Sequence, residues 1–295
     1  MSPMHAHSPL SVPLDAGMAD ALAGVIAHVG TEAFDTSLMA WLARCLRFDS
    51  CGVTEFFNDR PPHCRLHRFD RARRRAPEDA YVHGPYVLDP IYQLYQGGAG
   101  NGLYPLRRIA PDDFEASEYF KVFYSRTDVG DDVSLLHRRP DGNAVMVFLE
   151  RREQAPAFSQ ADLFALELVE PVLHALLAQH ETHRQLKPAS HDEALAHAKV
   201  QAALADFGSA HLTDREREVL FYMISGYSSA LTAEKLAVAE GTVKNHRKAI
   251  HRKLDVGSQA ELFALFLHCI PYAQPGKAVD PLMAYQSKPA NRTVA

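Results

Sequence analysis

The chain has 295 residues, 47% of them hydrophobic and 23% charged, and a formal net charge of −5. That length suits two domains, and that composition supplies a sizeable core and leaves disorder to the ends. No run of about 18 apolar residues exists, which excludes a helix spanning a membrane. The start, MSPMHAHSPLSVPLDAGM, has no basic leader followed by an apolar centre, so a cytoplasmic protein is expected. The four cysteines are scattered without C-x-x-C spacing and read as free thiols. His180 with His183, and His63 with Cys64 and His67, lack the second pair a zinc site needs, so no metal and no cofactor is expected.

In chain order, residues 1–14 read as a loose tail. ADALAGVIAHV and DTSLMAWLARCLRF follow as helices, the second with Leu38, Trp41, Leu42 and Leu46 at helical spacing. CGVTEFF and the stretch around CRLHRF read as strands joined by the turn NDRPP. EDAYVHGPYVLDPIYQLYQ reads as two short helices around Gly84-Pro85, GGAGNG as a flexible loop, and PDDFEASEYFKVFYSR as a helix. VSLLHRR, PDGN and AVMVFLERR give strand, tight turn and strand. Ser159 and Asp162 cap a long helix, stapled by Phe158 and Leu163. It carries Leu163, Leu166, Val169, Leu173, Leu176 and Leu177, and Pro171 should kink it. LKPASHDE reads as a linker, although DEALAHAKVQAALADF is able to form a helix. The fold expected is α+β. An α/β/α-layer sensor of GAF- or PAS-like outline, with a largely antiparallel sheet, spans 15–182. A linker spans 183–208, a four-helix unit 209–270, and a disordered tail 271–295.

From Leu212 the pattern changes to four helices in about 55 residues. Thr213 and Glu216 form a capping box, Gly226 ends the first helix, Ser228 caps the second, and Ser258 with Glu261 caps the fourth. Val238 to Glu240 make a tight turn into the third helix, EGTVKNHRKAIHRKL. Five of its residues are Lys or Arg and one is acidic. Val243, Ile250 and Leu254 share one face; Lys244, Arg247, Lys248 and His251 share the other. Two helices across a tight turn, braced on each side, predict a helix-turn-helix with a row of cations for DNA. Asn245 and Lys248 are suited to base edges in the major groove.

These residues resemble the LuxR-type (NarL-type) DNA-binding domain. The resemblance rests on Leu212-Thr213, Arg215-Glu216, Glu218-Val219-Leu220, Gly226, Ser228, Ala233, Leu236, Thr242-Val243-Lys244, His246, Ile250, Lys253-Leu254 and Val256. It covers about a fifth of the chain. It implies that Lys244, Asn245 and Lys248 face bases, and that Thr242, Arg247 and Lys253 hold phosphates. The chain departs from the pattern at Thr232, where Ile is usual, at Ala239, where Ser is frequent, and at Gln259, where Arg is frequent.

In the front domain, Asp89 in Tyr86-Val87-Leu88-Asp89-Pro90 is similar to the ligand aspartate of lactone-binding regulators. Its simpler role is to cap a helix beginning at Pro90. The sole tryptophan, Trp41, lies far upstream, which disfavours a lactone. Tyr81, Tyr86, Tyr92, Phe120 and Phe123 are candidates to line a pocket for another small molecule, or to be plain core. The expected function is a ligand-responsive, dimeric transcription factor acting on duplex DNA, with RNA polymerase as partner if it activates. An acyl-homoserine-lactone regulator or a protein-interaction adaptor without DNA binding is the alternative. No nucleophile elbow or H-E-x-x-H helix suggests an enzyme.

Overall fold

The structure is a computed structural model. It describes residues 16–68, 81, 85–112, 114–117, 120–121, 124, 128–184 and 190–287. Its centre is a five-stranded sheet built from β1 (Ser50–Phe56), β2 (His63–Arg68), β3 (Gly102–Pro105), β4 (Val129–Arg138) and β5 (Ala144–Arg152), in the order β2-β1-β5-β4-β3. Every neighbouring pair is antiparallel. β1 and β5 lie inside the sheet, where every β1 residue and the first six of β5 are buried. Successive side chains of a strand point to opposite faces, so each face collects its own core. Cys51, Val53, Val133, Leu135, Val145, Val147 and Leu149 join one cluster; Phe56, Leu136, Met146 and Phe148 join another.

The first face is covered by α1 (Ala16–Ala27), α2 (Phe34–Cys45) and α5 (Gln160–His183). The Ser159/Asp162 capping box starts α5, with Asp162 N–H donating to Ser159 Oγ at 3.2 Å and Ser159 N–H to Asp162 Oδ2 at 2.8 Å. Leu163, Leu166, Val169, Leu173, Leu176 and Leu177 are all buried there, so this stripe packs on the sheet. The helix runs on through Pro171, which lies on its exposed side. The second face is covered by a 3-10 turn (Pro85–Leu88), α3 (Pro90–Gln96) and α4 (Leu106–Ile109). Gly52 is the close approach between β1 and its neighbours: a Cβ there would lie 2.3 Å from the Phe148 ring and 2.5 Å from the Leu66 carbonyl oxygen.

At one end of the sheet a buried ion network ties β1, β2 and β4 to α5. Glu55, 2% exposed, receives Arg184 at 2.7 Å and Arg139 at 3.3 Å, with His63 at 3.2 Å. Burial alone would raise the Glu55 carboxyl. The His63 hydrogen bond and the charges of Arg184 and Arg65 overcome that and hold it at about 2.

Four expectations need correcting. The stretch 111–126 is not one continuous helix among the described residues: a 3-10 turn at Phe114–Ala116 gives way to a bend at Ser117, and Phe120 and Lys121 are helical again. Phe114 meets the Phe120 and Tyr124 rings edge-on, while Phe120 and Tyr124, four residues apart, stack. The glycine loop ends in β3, a strand too short to show a period. The stretch from 271 is not all tail: a 3-10 turn (Ile270–Tyr272) and α11 (Pro281–Gln286) fold back. Asp280, 5% exposed, accepts hydrogen bonds from the amides of Gly208, Ala210 and Leu282 at 3.0, 2.9 and 2.9 Å. Much of the expected linker is the helix α6 (His191–Asp206), begun by a Ser190/Glu193 capping box.

Candidate nucleic-acid interface

Four helices follow α6: α7 (Asp214–Ile224), α8 (Ser229–Lys235), α9 (Glu240–Leu254) and α10 (Gln259–Cys269). Each begins or ends where local chemistry requires. The Thr213/Glu216 capping box opens α7, and Gly226 turns left-handed at φ +87° to close it. Ser228 Oγ accepts from Leu231 N–H at 3.1 Å to cap α8. Ser258 caps α10, but the Glu261 carboxylate takes the Gly257 amide at 2.7 Å, so the reciprocal half of that expected box is displaced by one residue. The turn between α8 and α9 has Ala237 at φ +52°, and Arg215 closes it by donating to the Leu236 carbonyl at 2.8 Å. Ala239 gives α9 no side-chain cap.

The apolar edge of α9 is locked. Val243, Ile250 and Leu254 are buried with Val219, Leu220, Met223, Ala233, Leu262 and Phe266. Thr242, Lys244, Asn245 and Lys248 are exposed. Lys244 Nζ rests 2.7 Å from Glu240 Oε1, an exposed i,i+4 pair worth only a few tenths of a kcal/mol, about what a phosphate or base displaces easily. Arg247 is half-buried and donates to the Tyr227 carbonyl at 3.2 Å.

Two residues expected to meet DNA are placed differently: Lys253, implied by the resemblance as a phosphate contact, and His251, expected on the cationic face. Lys253 Nζ lies 2.6 Å from Glu216 Oε2 and so bolts the end of α9 to the start of α7. Burial works to raise the Glu216 carboxyl, but the Lys253 and Thr213 hydrogen bonds prevail and lower it. His251 is half-buried, its Nε2 has no hydrogen-bond partner among the described residues, and burial followed by the Arg247 charge pushes its imidazole toward the neutral form. The departure at Thr232 is visible too: the residue is 1% exposed and its hydroxyl has no partner among the described residues.

In the front domain, Asp89 caps α3. Its carboxylate accepts from Ile91 N–H at 3.1 Å and from Tyr81 Oη at 2.9 Å. Tyr86 and Tyr92 are buried in an aromatic cluster with Phe56 and Tyr95; half-buried Tyr81 meets the Tyr86 ring, whereas half-buried Phe120 packs with Phe114 and Tyr124. Phe123 lies outside the described residues. Trp41 sits in the cluster on the opposite face of the sheet, so it does not join this group. The cluster reaches beyond the front domain: the Tyr86 hydroxyl meets His197 Nδ1 of α6 at 2.9 Å. The sequence gives no hint of that contact, because the two residues are 111 positions apart.

A tight-turned helix pair, braced on both sides and offering one cationic edge to solvent, defines a helix-turn-helix DNA-binding protein. The model of "Bacterial regulatory proteins, luxR family" matches residues 210–266. A relative from Aeromonas salmonicida, named "Putative HTH-type transcriptional regulator in exeN 3'region", is 34% identical over 197 residues, 65% of this chain and 100% of that one. The chain belongs to the luxR family of bacterial transcriptional regulators, which are not enzymes. Among solved structures, the VqsR LBD domain from Pseudomonas aeruginosa matches with a TM-score of 0.51 and 20% identity, covering 58% of this chain and all of that one, and shares the fold of the front domain. The N-acylhomoserine lactone dependent factor CepR2 from Burkholderia cenocepacia matches at a TM-score of 0.37 and 16% identity, covering 65% of this chain and 100% of that one. That likeness is too distant to carry an argument. No helix among the described residues is long and apolar enough to cross a membrane.

Proposed function

We propose that this regulator binds sequence-specifically as a dimer, that α9 reads the major groove, and that the front domain responds to a small molecule. One observation carries the DNA assignment: α9 is held by its apolar edge while Lys244, Asn245 and Lys248 stand free of the bundle. In this reading those three meet base edges, and Thr242 and Arg247 meet phosphates. Lys253 then acts first as a brace, through Glu216. One helix-turn-helix makes few base contacts, and a two-fold pair reads two half-sites a helical turn apart, which supports a dimer. RNA polymerase is the further partner if the output is activation. The fold shared with a domain titled as an LBD supports sensing, and the aromatic side of the sheet, with Tyr81, Tyr86, Tyr92 and Phe120, is the place proposed for the ligand.

The test is binding of the full chain to duplexes from the region upstream of its own gene, against scrambled duplexes of equal length. Wild type should discriminate, and Lys248→Ala should lose about 1–3 kcal/mol of preference at one base position. Equal affinity of the wild type for both duplexes would sink the assignment.

A further inference from the structure

The DNA-binding bundle does not stand apart from the front domain. Phe207, Leu220, Ile224 and Phe266 belong to the same buried cluster as Tyr86, Tyr92 and Tyr95. Two polar contacts pin the seam, and both fall on the turn between α7 and α8. Gln93 Nε2 of α3 donates to Ser225 Oγ at 3.1 Å. Asp112 accepts twice from Ser228: the amide donates to Oδ1 at 3.1 Å and the hydroxyl donates to Oδ2. Ser228 is also the cap of α8, and the residue before it, Tyr227, offers its carbonyl to Arg247 of α9. A front-domain carboxylate therefore grips the segment that opens the first helix of the helix-turn-helix and is bonded to the second.

We propose that Asp112 is an intramolecular latch: its carboxylate, on a front-domain loop, docks on Ser228 and lowers the affinity of the chain for duplex DNA until the contact opens. This rests on the DNA-binding reading above. The first helix of a helix-turn-helix crosses the phosphate backbone, so its leading turn lies toward phosphates. A carboxylate on that turn adds a like charge where phosphates approach, one residue along from the Tyr227 carbonyl that holds the arginine assigned to a phosphate. Like-charge juxtaposition at the rim of an interface penalises association. Lys244, Asn245 and Lys248 remain exposed while the latch is shut. The latch therefore weakens approach without covering the base-reading edge. It also has a connection to the proposed sensing side. The short helix α3 places Tyr92 in the aromatic cluster and, one residue on, Gln93 against Ser225. A ligand that shifts α3 would shift the seam.

The experiment uses the full chain and a fluorescent random-sequence duplex at low ionic strength. Asp112→Ala should bind about fivefold or more tightly than wild type. A second variant, Asp112→Cys with Ser228→Cys, should bind weakly when oxidised and recover on reduction by dithiothreitol. Asp112→Ala binding no tighter than wild type would overturn the latch. So would an oxidised pair that binds as well as its reduced form, or a pair that never closes. If neither wild type nor any variant binds any duplex, the DNA-binding reading itself falls and takes the latch with it.

Discussion

At the end of the sheet, Arg65 and Arg139 are 5% and 4% exposed and each meets two or more carboxylates; on α9, Lys244 is 60% exposed and meets one carboxylate of its own helix. Both regions concentrate positive charge. In the first, cations and partners have left water together, so separating them strands a charge in a poor solvent. In the second, the partner is another exposed side chain and water competes on equal terms. Buried cations are thus committed to holding strands and helix together, while exposed ones are free to exchange partners. The distinction is one of solvent, not of residue type, and it separates structural arginines from the DNA-facing edge in the same chain.

Removing a buried partner should break the comparison most sharply. Glu55→Gln takes one carboxylate from Arg184 and Arg139, which keep Glu181 nearby, and should destabilise the chain by about 1.5–3 kcal/mol in urea unfolding. A loss below about 1 kcal/mol would show that the network holds nothing. The pH dependence follows from the same group. Its folded value, about 2, lies below its ordinary 4.5, so its stabilisation is present above about 4.5 and is lost as pH falls toward 2. The acid limb of the stability curve should flatten in Glu55→Gln. Next in size is Thr232→Val, which removes an unpartnered hydroxyl at constant shape. It should stabilise the chain by about 1 kcal/mol, and a lower melting temperature would contradict the account. The smallest effect is expected on α9. Arg247→Ala should lower the salt dependence of DNA binding by about one counterion, and an unchanged slope would remove that phosphate contact.

The bundle was readable in the sequence because its signals are local. Thr213 with Glu216, Gly226, Ser228 and the spacing of Val243, Ile250 and Leu254 all act within a few residues. The hairpin of β4 and β5 was readable for the same reason. Other features escaped because their partners are distant: nothing near Asp112 announces Ser228, 116 positions on. The cationic face of α9 was read from spacing, which cannot tell that His251 is half-buried, and the resemblance that implied a phosphate role for Lys253 cannot tell that a buried carboxylate lies within 2.6 Å of it. α11 is a different case. Asp280-Pro281 carries the same cap-and-proline signal as Asp89-Pro90, so the information was present, outweighed by the polar stretch around it.

That last helix has a practical consequence. The family match stops at residue 266, which invites a minimal DNA-binding fragment cut there. Such a cut would discard the carboxylate that ties off the amides of Gly208 and Ala210, together with Leu282, which is fully buried against the bundle. The packed DNA-binding unit of this regulator therefore extends to at least Gln286, and expression boundaries should be drawn beyond it.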